Sequence, residues 1–393
     1  MFKGESLKYI RTLHGLSRKE LAQKINVTEQ MIWQYEVKND MPDMKKVYEL
    51  SNILQVQTRF FFNDKTFYFY DKNIIQEVIA FRSLNQSTST KLLNKQYMHM
   101  MLIDNFNRYL SRFFNIGNKL LDLKNNIKEC SVDDDNKFEY IIKLAHWARK
   151  KIMKTDSNRY LLLNLEKYGI LIFEKSIDPD ADAYSVWTND EHPIIILGKN
   201  KNITARRNFD LAHELGHLLL HKDVEFVQLS RIEYKEKEKE ADLFAGAFLL
   251  PEAEFKADFN KLSKVSNPDS YIVLKEKWLV SIQAMAIRAK HLNLLSDQQY
   301  RYFWMSINKK KYKYFEPLDD IIPISRPAKI NSIVNHLLNR QLIKVEDIIE
   351  DWLLDLDLIC DLTGIDKQLF EKYEFKNIQQ DNLLLLNKNK LSK

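Results

Sequence analysis

The pentapeptide His213-Glu214-Leu215-Gly216-His217 sits inside residues 206–221, whose apolar positions repeat at helical period. In a helix, residues four apart stand on one face, so the two imidazoles can meet at one metal ion while Glu214 lies to the side. Nine histidines in 393 residues make a chance HExxH rare, on the order of 0.03 expected occurrences. The pattern demands a packed helix and a further ligand from another element. Glu240 is the candidate, in Glu238-Lys239-Glu240-Ala241-Asp242-Leu243-Phe244-Ala245, a second helix whose small residues Ala241, Ala245 and Gly246 allow close approach to the first. Two histidines and one glutamate with an open position form the ligand set of a catalytic rather than a structural zinc. Glu214 is then the general base, taking a proton from water that Zn2+ acidifies and handing it to the leaving amine. His221, one turn further on, is read either as an additional ligand or supporting group, or as a helix-end histidine.

The 393 residues are 45% hydrophobic, 12% aromatic and 29% charged, which gives two or three packed domains and excludes a disordered chain. Only 8 Gly and 8 Pro occur, so collagen-like and low-complexity classes drop out, and the long helical periodicities predict a mainly α protein. Two cysteines, Cys130 and Cys360, support neither a disulfide framework nor a four-cysteine zinc site, and a reducing, cytoplasmic location is expected. The first residues have no apolar export segment and no apolar run reaches membrane-span length, so no membrane partner is expected. Sixty basic against 54 acidic residues leave a net charge of +6, which suits a nucleic-acid partner without identifying one.

Residues 1–68 read as short helices with tight connections. Leu7, Ile10 and Leu13 form one; Ser17 and Glu20 make a capping box for a second; Thr28 caps a third, and Pro42-Asp43 opens a fourth. Two short helices across a tight turn give the helix-turn-helix geometry, whose second helix enters the major groove. Thr28, Glu29, Gln30, Trp33 and Gln34 are the candidates for base edges, and Arg18, with Arg11, Lys19 and Lys38, for phosphates. The run Ser17-Arg18-Lys19-Glu20-Leu21-Ala22, followed by Val27-Thr28-Glu29-Gln30-Met31-Ile32-Trp33-Gln34-Tyr35-Glu36, resembles the Xre/Cro-type repressor helix-turn-helix. The resemblance implies binding to double-stranded operator DNA, usually as a homodimer. Where such domains commonly carry a glycine after the recognition helix, this chain has Val37-Lys38-Asn39.

Residues 69–130 read as a helical connector, with Ile79, Phe81 and Leu84 and then apolar positions between Tyr97 and Leu110 at helical spacing. Gly169 to Phe173, Tyr184 to Trp187 and Ile194 to Leu197 read as strands of a small sheet preceding the HExxH helix, and a sheet edge beside a metal suits an extended peptide substrate. Residues 306–393 read as a helical C-terminal region with no ligand cluster. Its basic-aromatic run 309–314 is either a solvated turn or a nucleic-acid contact.

The strands, Tyr184-Ser185-Val186-Trp187, Pro193-Ile194-Ile195-Ile196, the HELGH helix, and Glu240-Ala241-Asp242-Leu243-Phe244-Ala245 running to Leu249-Leu250-Pro251, are together similar to the ImmA/IrrE family of zinc metallopeptidases over residues 137–305. That resemblance implies a zincin-like domain whose members cleave helix-turn-helix repressors, with His213, His217 and Glu240 as ligands and Glu214 as base. The expected fold is mainly α with a small α+β part: a helix-turn-helix bundle, a connector, the zincin-like domain and the C-terminal helices. The expected function is a DNA-binding transcriptional regulator whose fused zinc endopeptidase cleaves a repressor-type protein or itself. The alternative is a non-proteolytic repressor, or an antitoxin paired with a toxin protein, whose zinc domain senses or binds a partner.

Overall fold

A computed structural model describes residues 1–63, 90–115, 117–127, 136–175, 183–188, 190–199, 202–224 and 229–373. The expectations for Ile79, Phe81 and Leu84 and for Cys130 lie outside the described residues. The chain divides into two compact units, residues 1–76, 85–116 and 328–393 in one and residues 77–84 and 117–327 in the other.

In the first unit, α1 (Gly4–Leu13) buries Leu7, Ile10 and Leu13, the residues that repeat in its sequence. The capping box of α2 (Arg18–Lys24) forms in full: Ser17 Oγ accepts from Glu20 N at 3.1 Å and Glu20 Oε2 accepts from Ser17 N at 2.6 Å. Thr28 Oγ1 caps α3 (Glu29–Trp33), and Asp43 caps α4 (Met44–Ile53). The chain leaves α3 through a wide turn, Gln34–Lys38, ended by Asn39 at φ 56°. Asparagine tolerates that left-handed conformation where most side chains do not, so it does the work of the glycine common at this place. Its Oδ1 also accepts from Gly4 N at 2.8 Å. Gly4 is obligatory there, because a Cβ would stand 2.2 Å from Tyr35 O. The unit is completed by α5 (Thr90–Ser111), which packs on α1, and by helices Lys329–Asn339, Val345–Trp352 and Leu356–Thr363. Phe106 and Tyr109 of α5 meet the Trp352 ring at 5.5 and 6.1 Å between centroids. Gln57 N donates to Leu353 O at 2.9 Å, so residues from both ends of the chain share one core.

The second unit opens with α6 (Lys119–Asn125), α7 (Lys137–Ile152) and α8 (Leu161–Lys167). A sheet of β1 (Leu171–Lys175), β2 (Ala183–Trp187) and β3 (Pro193–Gly198) follows in the order β1-β3-β2, β1 parallel and β2 antiparallel to β3. Against it lies α9 (Thr204–Leu220), which packs on α10 (Arg231–Leu249), itself packed on α7. Gly216 lets the two helices meet, since a Cβ there would lie 3.1 Å from Phe244 Cδ1. Arg149 and Asn158 satisfy carbonyls at the end of α10: Arg149 Nη1 donates to Phe248 O at 2.8 Å and Asn158 Nδ2 to Leu249 O at 3.0 Å. The unit closes with α11 (Glu252–Phe259), α12 (Ile272–Trp278), α13 (Ile282–His291) and α14 (Asp297–Lys310). The basic-aromatic run is built into this unit, where Lys310 Nζ and Tyr312 Oη bond Asp269 at 2.7 and 3.1 Å.

Lys275 of α12 is fully buried, its Nζ donating to Glu316 at 2.8 Å and Asp319 at 2.5 Å. Glu316 also accepts from Ile282 N at 2.8 Å, so the triad ties residues 316–319 to the start of α13. Removing one member leaves uncompensated charge in the interior. Lys275→Ala is therefore expected to destabilise this unit by about 3–5 kcal/mol, measured by denaturant unfolding; a loss below about 1 kcal/mol, the scale of a surface pair, contradicts a buried triad.

Candidate metal centre

Helix α9 is buried on nearly every side, so its polar residues must find partners inside the protein. His213 and His217, one turn apart, bring their Nε2 atoms to 2.9 Å. Glu238 of α10 faces them, with carboxylate oxygens 3.4 Å from His213 Nε2 and 3.3 Å from His217 Nε2. These three are the group, among the described residues, that can hold a metal ion. An ion about 2.0–2.1 Å from each of three tetrahedral donors keeps them roughly 3.3–3.4 Å apart. The two carboxylate separations match that spacing, and the imidazole pair is slightly closer.

The outer nitrogens of both histidines are held as a metal site requires. His213 Nδ1 lies 2.8 Å from Asp242 Oδ1. His217 Nδ1 lies 3.0 Å from His221 Nδ1, and His221 Nε2 lies 3.0 Å from Glu240 Oε2. One proton arrangement satisfies every link: His213 donates to Asp242, His217 donates to His221, and His221 donates to Glu240. That arrangement turns both Nε2 lone pairs inward, toward Glu238. Burial, reinforced by the neighbouring His217, lowers the pKa of His221 to about 4, which keeps it neutral with one donor and one acceptor nitrogen. His221 is thus a support for His217, and the donor chemistry of the set fits zinc.

Glu240 stands elsewhere than the sequence pattern suggests. Its other oxygen takes Lys137 Nζ at 2.6 Å, so its carboxylate braces the outer imidazole while Glu238 faces the ligand nitrogens. Two residues along a helix rotate a side chain by about 200°, which is why Glu238 reaches His213 and His217 while Glu240 reaches His221. Gly246 likewise does not serve the helix contact: a Cβ there meets nothing within 4 Å.

Glu214 is 2% exposed, and Ser185 Oγ donates to its Oε2 at 2.8 Å. Its Oε1 is buried without a hydrogen-bond partner. Ser185, Asp242 and Glu238 do not stand out as site residues in the sequence. A signal for Ser185 exists, since it is the polar residue of a strand buried throughout, and Ser185 and Trp187 on one face of β2 reach Glu214 and Leu218, one turn apart on α9.

In the first unit, Glu29, Gln30 and Trp33 are exposed on α3, Gln34 is half-buried, and Thr28 is exposed with its hydroxyl accepting from Met31 N at 3.2 Å. Lys38 Nζ lies 5.4 Å from the Trp33 ring centroid. Arg18 is committed on one side: its Nε donates to the buried Glu36 at 2.6 Å, and Arg11 bonds the same carboxylate at 2.5 Å. Part of the basic surface expected to meet phosphates therefore anchors the turn that leaves α3.

Residues 7–61 match the helix-turn-helix family model, and residues 165–290 match the IrrE N-terminal-like domain. A relative from Bacillus subtilis (strain 168), an SPbeta prophage-derived uncharacterized HTH-type transcriptional regulator, YonR, is 42% identical over 57 residues, or 14% of this chain. The match spans about half of that relative, 53% of its length. Among the described residues, no helix is long and apolar enough to cross a membrane. The chain therefore joins a DNA-binding helix-turn-helix domain of the Xre type to an IrrE/ImmA-like domain of the peptidase family.

Proposed function

We propose that the chain is a transcriptional regulator whose second unit is a zinc-dependent endopeptidase acting on a helix-turn-helix repressor or on the chain itself. The observation that carries this reading is the state of Glu214, one oxygen held by Ser185 and the other buried and unpartnered on the helical turn between the two histidines. A purely structural site needs no such group. A zinc ion held by His213, His217 and Glu238 supplies Lewis-acid chemistry, acidifying a water and polarising a carbonyl. Glu214 Oε1 takes the proton from the attacking water and carries it to the leaving amine, and the Ser185 bond fixes the carboxylate for both transfers. Among the described residues β2 is an edge strand beside α9, where an extended peptide can add by backbone pairing. The exposed Glu29, Gln30 and Trp33 are offered for base edges in double-stranded operator DNA, and a cytoplasmic setting accords with that role.

The test is incubation of the zinc-loaded full chain, alone and with helix-turn-helix proteins encoded beside it, followed by mass spectrometry. A defined cut that disappears with chelator supports the reading. Intact proteins in every mixture overturn it.

A further inference from the structure

Between α7, α9, α10 and α13 of the second unit lies a groove of about 1030 Å³, with Phe138, Ile141, Leu243 and Ile287 among its walls. Small-molecule sites are of this size and mostly apolar. Two features of its lining lack a structural explanation. Arg288 is 2% exposed, and while its Nε donates to Leu250 O at 3.2 Å, its Nη1 and Nη2 are buried without a hydrogen-bond partner. Leaving a guanidinium buried and unpaired costs several kcal/mol; desolvation lowers its pKa to about 10, only partly offset by Glu252. Gly246 is the second feature. It sits inside α10 and lines the groove, yet a Cβ there would meet nothing within 4 Å. Glycine inside a helix costs roughly 0.5–1 kcal/mol relative to alanine, and unlike Gly216 this one allows no close contact in return. It keeps the groove open.

We propose that the groove binds an amphipathic organic anion, its carboxylate or phosphate head drawn to Arg288 and its apolar body lying along Phe138, Ile141, Leu243 and Ile287. With Arg288, the lining carries Lys137, Arg206, Lys239 and Lys313 against the carboxylates of Asp210, Glu240 and Asp242, so basic groups outnumber acidic ones. The groove also includes Asp242 and Glu240, which hold His213 and His221, so an occupant touches the outer support of the metal centre without entering it. This site goes beyond the peptidase reading and stands whether or not the centre hydrolyses peptides.

The test is calorimetric titration of the full chain with octanoate, octyl phosphate and octan-1-ol at one ionic strength. At least one of the two anions is expected to bind ten-fold or more tighter than the alcohol, a difference of about 1.4 kcal/mol; the stronger of the two identifies the head group. Arg288→Met should remove the anion's advantage over the alcohol. Gly246→Leu, whose Cβ enters open space on the groove wall, should weaken anion binding at least ten-fold with no loss of thermal stability, and it decides the matter if the Arg288 variant fails to fold. Equal binding of the alcohol, no anion binding tighter than about 1 mM, or unchanged affinity in Gly246→Leu overturns the proposal.

Discussion

A Glu214→Gln chain is expected to cleave its substrate about 10²- to 10⁴-fold more slowly than the parent, the range of general acid–base catalysis, while retaining zinc. The two halves of that result come from different atoms. Glu214 belongs to no link of the network that orients His213, His217 and Glu238; its bonds run to Ser185 on β2. Glutamine keeps the shape and can still accept the Ser185 hydroxyl, but it cannot take a proton. Single-turnover cleavage together with zinc content measures both. Cleavage within a few-fold of the parent would remove Glu214 from the reaction, and a parallel loss of zinc would make it a support of the site instead.

The second large effect separates the two glutamates of α10. Zinc sites in peptides bind with roughly 10–16 kcal/mol shared among their ligands, so removing the one anionic donor by Glu238→Gln should weaken binding about 10²- to 10³-fold or more. Glu240→Gln disturbs only the bond to His221 and the ion pair with Lys137, and outer supports typically contribute 10- to 100-fold in affinity, in this case toward the lower end of that range. Competition with a zinc-binding dye ranks the variants. Should Glu240→Gln be the more damaging, Glu240 rather than Glu238 is the ligand and α10 is rotated about its axis.

The ease of reading the first domain and the difficulty of placing the third ligand have one cause. Helix starts are local events: Ser17, Thr28 and Asp43 each cap with their own side chains, and three-residue spacings suffice to find them. The HExxH pair is equally local. Choosing between Glu238 and Glu240 requires the rotation of α10 about its axis, and its burial pattern does not settle that. Glu238 extends the stripe of Ala241, Ala245 and Phe248, while Glu240 extends that of Phe244 and Ala247, and all five are fully buried. Ser185 is separated from Glu214 by 29 positions, and the pairing of Gln57 with Leu353 spans nearly the whole chain. Contacts of that range depend on tertiary packing that no periodicity encodes. Asn39 shows a middle case: the absence of a glycine is visible in the sequence, and so is an asparagine able to take the left-handed φ of 56°, but its bond to Gly4 N is not.

The most direct measurement is X-ray absorption at the zinc edge on gently purified full-length protein, with metal quantified in the same sample. One zinc per chain is predicted, with two imidazole nitrogens and a carboxylate oxygen about 2.0–2.2 Å away and the oxygen contribution reduced in Glu238→Gln. A metal-free protein that does not take up zinc, or a spectrum unchanged by that substitution, would contradict a centre built from His213, His217 and Glu238.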